Sequence, residues 1–453
     1  MEIGFAKTDI TPRVGVELCG FGPFINRHSV GVRDRLWARA MAVRSEDEEA
    51  VLVSCDLVGV TRETTRSVRR KVQQEAGLSG GTVIISCSHT HSGPNTSGLR
   101  IGWGAYDPPY MEVLPHRIAS ACVEALENMR PAEVSHAEVP CEGIGLNREY
   151  DKDAPPLEDV LEEDWRPAHP ELTDTTCHVL RVDGEDGLLG FASYFSCHPV
   201  VCCADNRFIH GDYCGVATNM LEREHPGSVG LFLQGAQGDV NSCVVHKPEK
   251  ESLLALDVIA SRYARSVRRG ISEAQPIGAE PFSCDVKEVK FTREDVSEGN
   301  LRERLAEENA ILQQEEASDE DRDVRMATVR AVAIRRVLEV IEREGRFPVP
   351  PTELAAFRLG EVMLLCSPFE TFQAIKSDVQ ENARSPIPLV LGLVNDSVGY
   401  APDRKAAERG GYAADVVPLI HGDLPYANAH DELVEGLLKL EREVLESGQV
   451  GES

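Results

Sequence analysis

The stretch VIISCSHTHSGPN, residues 83–95, carries the strongest information about the fold. Its apolar, β-branched start predicts a buried strand. Two histidines, His89 and His91, follow one residue apart, ahead of a Ser-Gly-Pro turn. Residues two apart on a strand point to the same face, so we expect both imidazoles to project together from the strand's end. This arrangement suits one metal ligand beside one acid/base group, although most isolated His-x-His pairs are surface or packed imidazoles.

The charge of the chain excludes several classes of partner. The 453 residues carry a formal net charge of −28, and such a surface repels nucleic-acid phosphates and anionic lipid. No run approaches the roughly 18 apolar residues of a membrane span, and the first residues lack the basic start and apolar core of a signal peptide. We therefore expect a cytoplasmic protein with no nucleic-acid partner and no stable membrane anchor.

The thirteen cysteines include no Cys-x-x-Cys pair. In a protein without an export signal, they are expected to be reduced thiols that pack as small apolar residues. A structural zinc site built from cysteines is therefore not expected.

The order of elements predicts an α/β protein. Two apolar runs, residues 36–44 and 50–56, flank an acidic turn and have a hairpin signature. An amphipathic helix at 62–76 then leads into the strand at the start of 83–95. A strand, helix and buried strand in this order are typical of α/β architecture. We expect a mixed β-sheet core with flanking helices in a single domain, residues 1–453.

A long, highly charged stretch at residues 293–346 contains no group that suggests catalysis. We expect a helical insertion, folded as a hairpin and packed on one side of the domain. Its charged face is a candidate partner surface, and a homo-oligomer is one candidate assembly.

Other apolar segments also end in potential ligands. Residues 188–201 contain His198 in a Cys-His-Pro sequence, and residues 362–369 lead into Glu370, where a strand gives way to a helix. Farther along, Tyr400 is predicted in a turn. Two imidazoles and a carboxylate delivered from separate strand ends form a recurrent catalytic zinc site. A phenol in such a turn is a candidate fourth ligand or oxyanion donor.

His210 and Asp212 follow His198 closely and could extend the same site. We favour a structural role, in which a short polar turn positions the next helix by capping.

The motifs resemble, in their order, those of the neutral/alkaline ceramidases, zinc-dependent amidases that cleave the N-acyl bond of ceramide. The resemblance covers residues 3 to about 440. The motifs that carry it are ITP (10–12), CSHTHSGP (87–94), LNR (146–148), CHP (197–199), HGD (210–212), QGDVN (237–241), SPFET (367–371), GYAPDR (399–404) and GGY (410–412).

The resemblance implies an α/β fold with a Zn²⁺ site at strand ends and a small acylated substrate. Four positions match the family's zinc ligands: His89, His198, Glu370 and Tyr400. Three match groups that hold or polarise the substrate: His91, Arg148 and Tyr412. In the implied mechanism, zinc lowers the pKa of water toward about 7 and the resulting hydroxide attacks the carbonyl. Tyr412 then stabilises the oxyanion and His91 carries a proton to the leaving group.

Three departures from the family pattern bear on the substrate. The family has a catalytic serine where this chain has Asn241, and Ser242, one position later, is expected to point elsewhere. Asn241 is instead predicted to hydrogen-bond the polar part of the substrate. A C-terminal β-sandwich domain and a secretion signal are the other two family features not expected here. Together they favour a soluble acylated molecule over membrane-resident ceramide.

Two alternatives to an N-acyl amidase remain. One is a lactonase or esterase that acts on a soluble metabolite, which the Asn241 change favours. The other is a non-catalytic member that uses the fold for binding, for which the charged helices provide a surface.

Overall fold

The computed structural model describes residues 1–45, 48–78, 82–98, 101–151 and 155–447. Part of the acidic turn predicted between the two apolar runs lies outside these residues.

The described residues form short and long strands between helices. The strands are β1 (Glu2–Asp9), β2 (Gly31–Val32), β3 (Trp37–Ser45), β4 (Glu48–Cys55), β5 (Val83–Cys87), β6 (Arg130–Pro131), β7 (Glu133–Pro140), β8 (Gly145–Asn147), β9 (Thr176–Gly184), β10 (Gly187–Phe195), β11 (Phe208–Ile209), β12 (Val229–Gln234), β13 (Val240–Ser242), β14 (Gln275–Pro276), β15 (Phe282–Val289), β16 (Thr352–Leu359), β17 (Val362–Cys366), β18 (Glu370–Thr371), β19 (Ile387–Leu391) and β20 (Tyr400–Ala401). The helices are α1 (Arg62–Ala76), α2 (Pro108–Glu127), α3 (Leu157–Leu161), α4 (Asp212–Glu224), α5 (Glu249–Glu273), α6 (Glu298–Leu312), α7 (Arg322–Glu344), α8 (Gln373–Asn382), α9 (Arg404–Arg409), α10 (Val417–His421) and α11 (Ala429–Ser447).

The first sheet has the order β5-β4-β3-β1-β6. Strands β3 and β4 form the predicted hairpin, and α1 connects β4 to the parallel strand β5. Helix α1 has the predicted bounds because local signals fix both ends. Thr61 caps its start by accepting a hydrogen bond from the backbone N–H of Thr64, and Gly77 ends it in the left-handed conformation. Val68 and Val72 pack the helix against the sheet.

Two further sheets complete the core. The second has the order β12-β10-β9-β7-β14, with α4 and α5 on its outer face. The third has the order β15-β16-β17-β19, with α8 and α11 on its outer face. Leu52, Leu231 and Leu364, one from each sheet, belong to a single apolar cluster. The mixed α/β fold is therefore confirmed, and its core lies where the three sheets meet.

The charged insertion is a helical hairpin of α6 and α7, as predicted. Its apolar residues, including Val329 and Ile334, pack in one cluster with Trp103 and Tyr400. The hairpin therefore lies against the segment that carries a predicted zinc ligand.

No helix among the described residues has the length and apolar character needed to cross a bilayer.

Candidate metal centre

His89 lies in a loop beyond its strand, because β5 ends at Cys87. The alternation rule that motivated the His89–His91 pair therefore does not apply. His89 instead adopts a φ of +68°, a conformation that is uncommon for a side chain with a Cβ. Its Nδ1 donates a hydrogen bond to the Val58 carbonyl at 2.6 Å. The Nε2 atom is thereby left with a lone pair that points into the site.

His198 enters from the second sheet, just after β10. Its Nδ1 lies 2.6 Å from the Gln237 carbonyl, so this nitrogen carries the proton. Its Nε2 lies 3.0 Å from Oε2 of Glu370. Burial lowers the pKa of His198 to about 4, so the ring is neutral near pH 7.

Glu370 and Tyr400 are direct partners in a two-stranded parallel ladder of β18 and β20. Tyr400 therefore lies in a short strand, and the prediction that it lies in a turn is wrong. Both side chains are at most 7% exposed. Oε2 of Glu370 lies 3.3 Å from Nε2 of His89.

His91 completes a group of three imidazoles. Its Nε2 lies 3.1 Å from Nε2 of His89, and the ligand atoms of His89, His91 and His198 all lie within 4.8 Å of one another. Nδ1 of His91 is buried without a hydrogen-bond partner. His91 is therefore placed either to bind a metal as a third imidazole or to exchange protons beside it.

The donor set fits a metal cation. Nε2 of His89 and Nε2 of His198 both present lone pairs toward Oε2 of Glu370, and acceptors held this close repel one another unless a positive charge lies between them. Imidazole nitrogen with a carboxylate suits zinc better than calcium or magnesium. The hydrogen bonds from Nδ1 to backbone carbonyls are the outer contacts that commonly orient zinc-bound histidines.

Arg148 and Tyr412 lie on the Tyr400 side of this centre. The Arg148 guanidinium stacks 5.0 Å from the Tyr400 ring centroid, and the Tyr412 ring lies 6.1 Å from that of Tyr400. Tyr412 is 47% exposed and begins a π-helical turn, Tyr412–Val416, an element found often at functional sites. Desolvation of its hydroxyl, and then the charge of Glu370, raises the pKa of Tyr412 to about 12. The phenol is therefore a proton donor at neutral pH.

Asn241 lies in β13, next to the backbone of His198, whose N–H donates to the Val240 carbonyl at 2.9 Å. Its side chain is half-buried, whereas Ser242 is fully buried and its Oγ accepts a hydrogen bond from the N–H of Val244. Successive strand residues point to opposite faces. Ser242 therefore points away from the face on which Asn241 lies, as the sequence predicted.

Asp239, which sequence reasoning missed, organises the site. Its Oδ1 accepts from the N–H of Gln373, which follows the Glu370 strand, and its Oδ2 accepts from Asn147, which precedes Arg148. Its backbone carbonyl accepts from the N–H of Arg148. Asp239 thus joins three site segments, and only its place in the QGDVN motif could have drawn attention to it.

A loop near the N-terminus supports His91. A Cβ at Gly20 would overlap the His91 ring, and Phe21 contacts that ring edge-on at 4.9 Å. The buried Arg27 guanidinium donates to the carbonyls of Cys19 and His91. The Gly- and Pro-rich sequence predicts this loop but does not indicate which histidine it contacts.

The second group with metal-ligand atoms close together is Cys202, His210 and Asp212. Its polar atoms are already used within the chain. Asp212 accepts from the N–H groups of Val201, Cys202 and Tyr213, and Nδ1 of His210 accepts from the N–H of Asp212. Helix α4 begins at Asp212. The contacts support a structural role, but the predicted capping is wrong, because the N-cap of α4 is Gly211 and no side chain caps the helix.

Fold and site together define a mixed α/β protein with a buried cation site of imidazole and carboxylate groups. A family model for the N-terminal part of neutral/alkaline non-lysosomal ceramidases matches residues 1–253. The chain belongs to this family.

The relatives and the solved structure that this chain resembles are neutral ceramidases. Neutral ceramidase of Drosophila melanogaster is 26% identical over 278 residues, which cover 58% of this chain and 39% of that protein. Neutral ceramidase of Mycobacterium tuberculosis is 23% identical over 332 residues, covering 65% and 48%. These matches thus span less than half the length of either relative. The crystal structure of neutral ceramidase from Pseudomonas aeruginosa superposes with a TM-score of 0.73 at 18% identity, covering 98% of this chain and 75% of that one.

Proposed function

We propose that this protein is a zinc-dependent hydrolase of an N-acyl amide bond. The observation that carries the proposal is the meeting of two imidazole Nε2 atoms with one carboxylate oxygen at 3.0 and 3.3 Å. Membership of the ceramidase family supports amide hydrolysis, since the relatives are neutral ceramidases. A bound zinc ion would supply an activated water and polarise the substrate carbonyl.

The chain's own residues hold the metal and prepare the substrate. His89, His198 and Glu370 would bind the ion, and the Val58 and Gln237 carbonyls fix the two rings. Tyr400, paired with Glu370, is the proposed fourth ligand.

Four other side chains act on the substrate. His91 holds or releases a proton at Nε2, next to the metal-facing edge of His89. Tyr412 donates its phenolic hydrogen to the carbonyl oxygen. Arg148, fixed against Tyr400, orients the polar part of the substrate together with Asn241.

The test combines metal analysis with a matched substrate panel. Purified protein should contain about one zinc per chain, and the His89→Ala variant should contain none. His116→Ala, at an exposed histidine on α2, is the matched control and should retain the metal. The panel contains short-chain ceramide, a soluble N-acyl amide and a lactone, each assayed with and without chelator. Full zinc retention in His89→Ala would contradict the site, and chelator-sensitive cleavage of the lactone alone would favour the lactonase alternative.

We also propose that the protein works in a reducing compartment such as the cytosol. All thirteen cysteines are free thiols, and twelve of them are buried. Thiol titration of denatured, unreduced protein taken directly from cells should find about thirteen reactive groups per chain. Recovery of disulfide-linked peptides would contradict this proposal.

A further inference from the structure

A single buried arginine, Arg27, contacts backbone carbonyls from three separate segments of the chain. Its side chain is almost fully buried, with 3% of the residue exposed. Nη2 donates hydrogen bonds to the carbonyls of Cys19, at 2.6 Å, and of His91. Nη1 makes longer contacts, at 3.3 Å to the carbonyl of Cys203 and at 3.5 Å to that of Asn206. One guanidinium therefore joins the N-terminal loop to two loops that lie farther along the chain.

Two of these loops carry proposed zinc ligands. His91 comes two residues after His89, in the loop that follows β5 of the first sheet. Cys203 comes five residues after His198, in the loop that follows β10 of the second sheet. Arg27 thus connects the two sheets at the place where each presents an imidazole to the metal centre.

Other hydrogen bonds hold the same two loops together. Asn206 donates from Nδ2 to the hydroxyl of Ser92 at 3.0 Å. The backbone N–H of His210 donates to the carbonyl of Ser92 at 3.1 Å. These contacts fix the residue after His91, whereas Arg27 reaches the carbonyl of His91 itself.

The charge of Arg27 is not balanced as it is in other buried arginines of this protein. Arg39 pairs with Asp56, and Arg69 pairs with Glu353. No carboxylate in the described part of the chain lies within ion-pair distance of Arg27. Desolvation lowers the pKa of Arg27 to about 10, so the guanidinium keeps its charge at neutral pH. Burial of a charge without a counter-ion is costly, and the planar set of donors at Arg27 offsets this cost by binding carbonyls of the site loops.

We infer that Arg27 is a positioning residue that holds His91 beside the metal centre. It binds the carbonyl of His91, and its guanidinium lies 4.9 Å from the ring centroid of Phe21, which contacts the His91 imidazole edge-on. Both contacts keep Nε2 of His91 at its distance of 3.1 Å from Nε2 of His89. The inference rests on the proposed amide hydrolysis, in which His91 moves a proton.

The first test compares two substitutions of Arg27, assayed with the amide that wild-type protein cleaves fastest. Arg27→Lys keeps the charge but lacks the planar fork that reaches several carbonyls. It should retain zinc and a KM within about twofold of wild type and should lose about tenfold in kcat. Arg27→Ala should lose about a hundredfold in kcat and regain at least about tenfold in about 0.05 M guanidinium chloride, because the free ion replaces the missing group. An equal concentration of NaCl should restore nothing.

Arg262→Ala is the matched control. Arg262 lies on α5, and its guanidinium also donates to four backbone carbonyls, at 2.7–3.0 Å. These carbonyls belong to residues 143 and 160–162, which are not part of the site. Arg262→Ala should therefore lose stability, as Arg27→Ala does, and keep the kcat of wild type.

The second test needs neither metal nor substrate. Diethyl pyrocarbonate modifies accessible neutral imidazoles, and peptide mass spectrometry measures the rate at each histidine. In metal-free protein, His91 should react severalfold faster in Arg27→Lys and Arg27→Ala than in wild type, because its loop opens more often. His91 in Arg262→Ala should react at the wild-type rate.

The outcomes separate this inference from the proposed function. Unchanged kcat together with unchanged modification of His91 overturns the role of Arg27, and Arg27→Lys alone decides this if Arg27→Ala does not fold. A loss expressed only in KM also overturns it, because Arg27 would then act on substrate binding. If zinc-loaded wild-type protein cleaves no amide, the proposed hydrolysis is contradicted, while the modification rates still show whether Arg27 holds His91.

Discussion

Nε2 of His198 lies 3.0 Å from Oε2 of Glu370, while Nδ1 of the same ring faces the Gln237 carbonyl at 2.6 Å. A neutral imidazole has one N–H, so the Glu370 contact brings two acceptors together. His89 repeats the arrangement, with its Nδ1 bound to the Val58 carbonyl. The repulsion between these acceptor atoms is relieved when a cation binds between the three groups.

Glu370→Gln is expected to remove most of the dependence of the free energy of unfolding on the metal. The amide can donate a hydrogen to a histidine Nε2, so the metal-free variant should be at least as stable as metal-free wild type. Chelation should lower the wild-type free energy of unfolding by about 3–4 kcal/mol when zinc is present at 100–1,000 times its dissociation constant. The variant should lose less than about 1 kcal/mol. Thermal denaturation with and without chelator measures both, and Glu158→Gln, at an exposed glutamate, should behave as wild type.

Gly20→Ala is expected to disturb His91. Gly20 has a φ of +115°, and a Cβ there would overlap the His91 ring. Gly15, in the same loop, has a φ of +102° with nothing within 4 Å of a Cβ. Gly15→Ala should therefore lose about 1–2 kcal/mol of stability from backbone strain alone and keep its activity. Gly20→Ala should lose a similar amount and at least about tenfold in kcat. Equal kcat values in the two variants would show that this contact does not position His91.

Asn241→Ser is expected to leave zinc content unchanged, because Asn241 contributes no ligand. If Asn241 sets the substrate class, the ratio of kcat/KM for short-chain ceramide to that for soluble N-acyl amides should rise severalfold. Ser242→Ala, on the opposite face of β13, should lose about 1 kcal/mol of stability from one missing hydrogen bond and leave the ratio unchanged. Efficient cleavage of ceramide by the wild type would instead show that Asn241 is compatible with this substrate.

His210 is expected to destabilise the protein in acid. Burial lowers its pKa to about 3, below the value of 6.5 in the unfolded chain, so folding favours the neutral ring. This stabilisation is complete above pH 6.5 and is lost as the pH falls toward 3. At pH 5 the loss is about 2 kcal/mol, from 1.5 pH units at about 1.4 kcal/mol each. Denaturant unfolding at pH 7 and pH 5 should show a smaller difference in His210→Gln than in wild type, whereas exposed His116→Gln should match wild type.

Local sequence signals were enough to predict the elements of the core. Helix α1 carries its own caps at Thr61 and Gly77, and the apolar runs of β3, β4 and β5 alternate with polar turns. Positions whose structure depends on contacts with distant parts of the chain were harder to predict from the sequence. The predicted turn at Tyr400 is a strand because Glu370, thirty residues earlier, pairs with it. The His89–His91 pair was anticipated for a reason that does not hold, since a positive φ at His89 rather than strand alternation brings the rings together.

The side of the site facing solvent was the least predictable part. The charged repeats of residues 293–346 favour a helical hairpin but do not indicate where it docks. Its contact with Tyr400 and the π-helical turn depends on apolar residues such as Met326 and Val329 that resemble those of any amphipathic helix.

The ladder between Glu370 and Tyr400 also determines when the site forms during folding. His89 and His198 lie within the first 253 residues, whereas both proposed oxygen ligands come from the last quarter of the chain. A fragment that ends at residue 253 would keep two imidazoles without their carboxylate, and a chain emerging from the ribosome would pass through the same state. The proposed zinc site therefore requires both parts of the chain, and acquisition of the metal at that site would mark a late stage of folding.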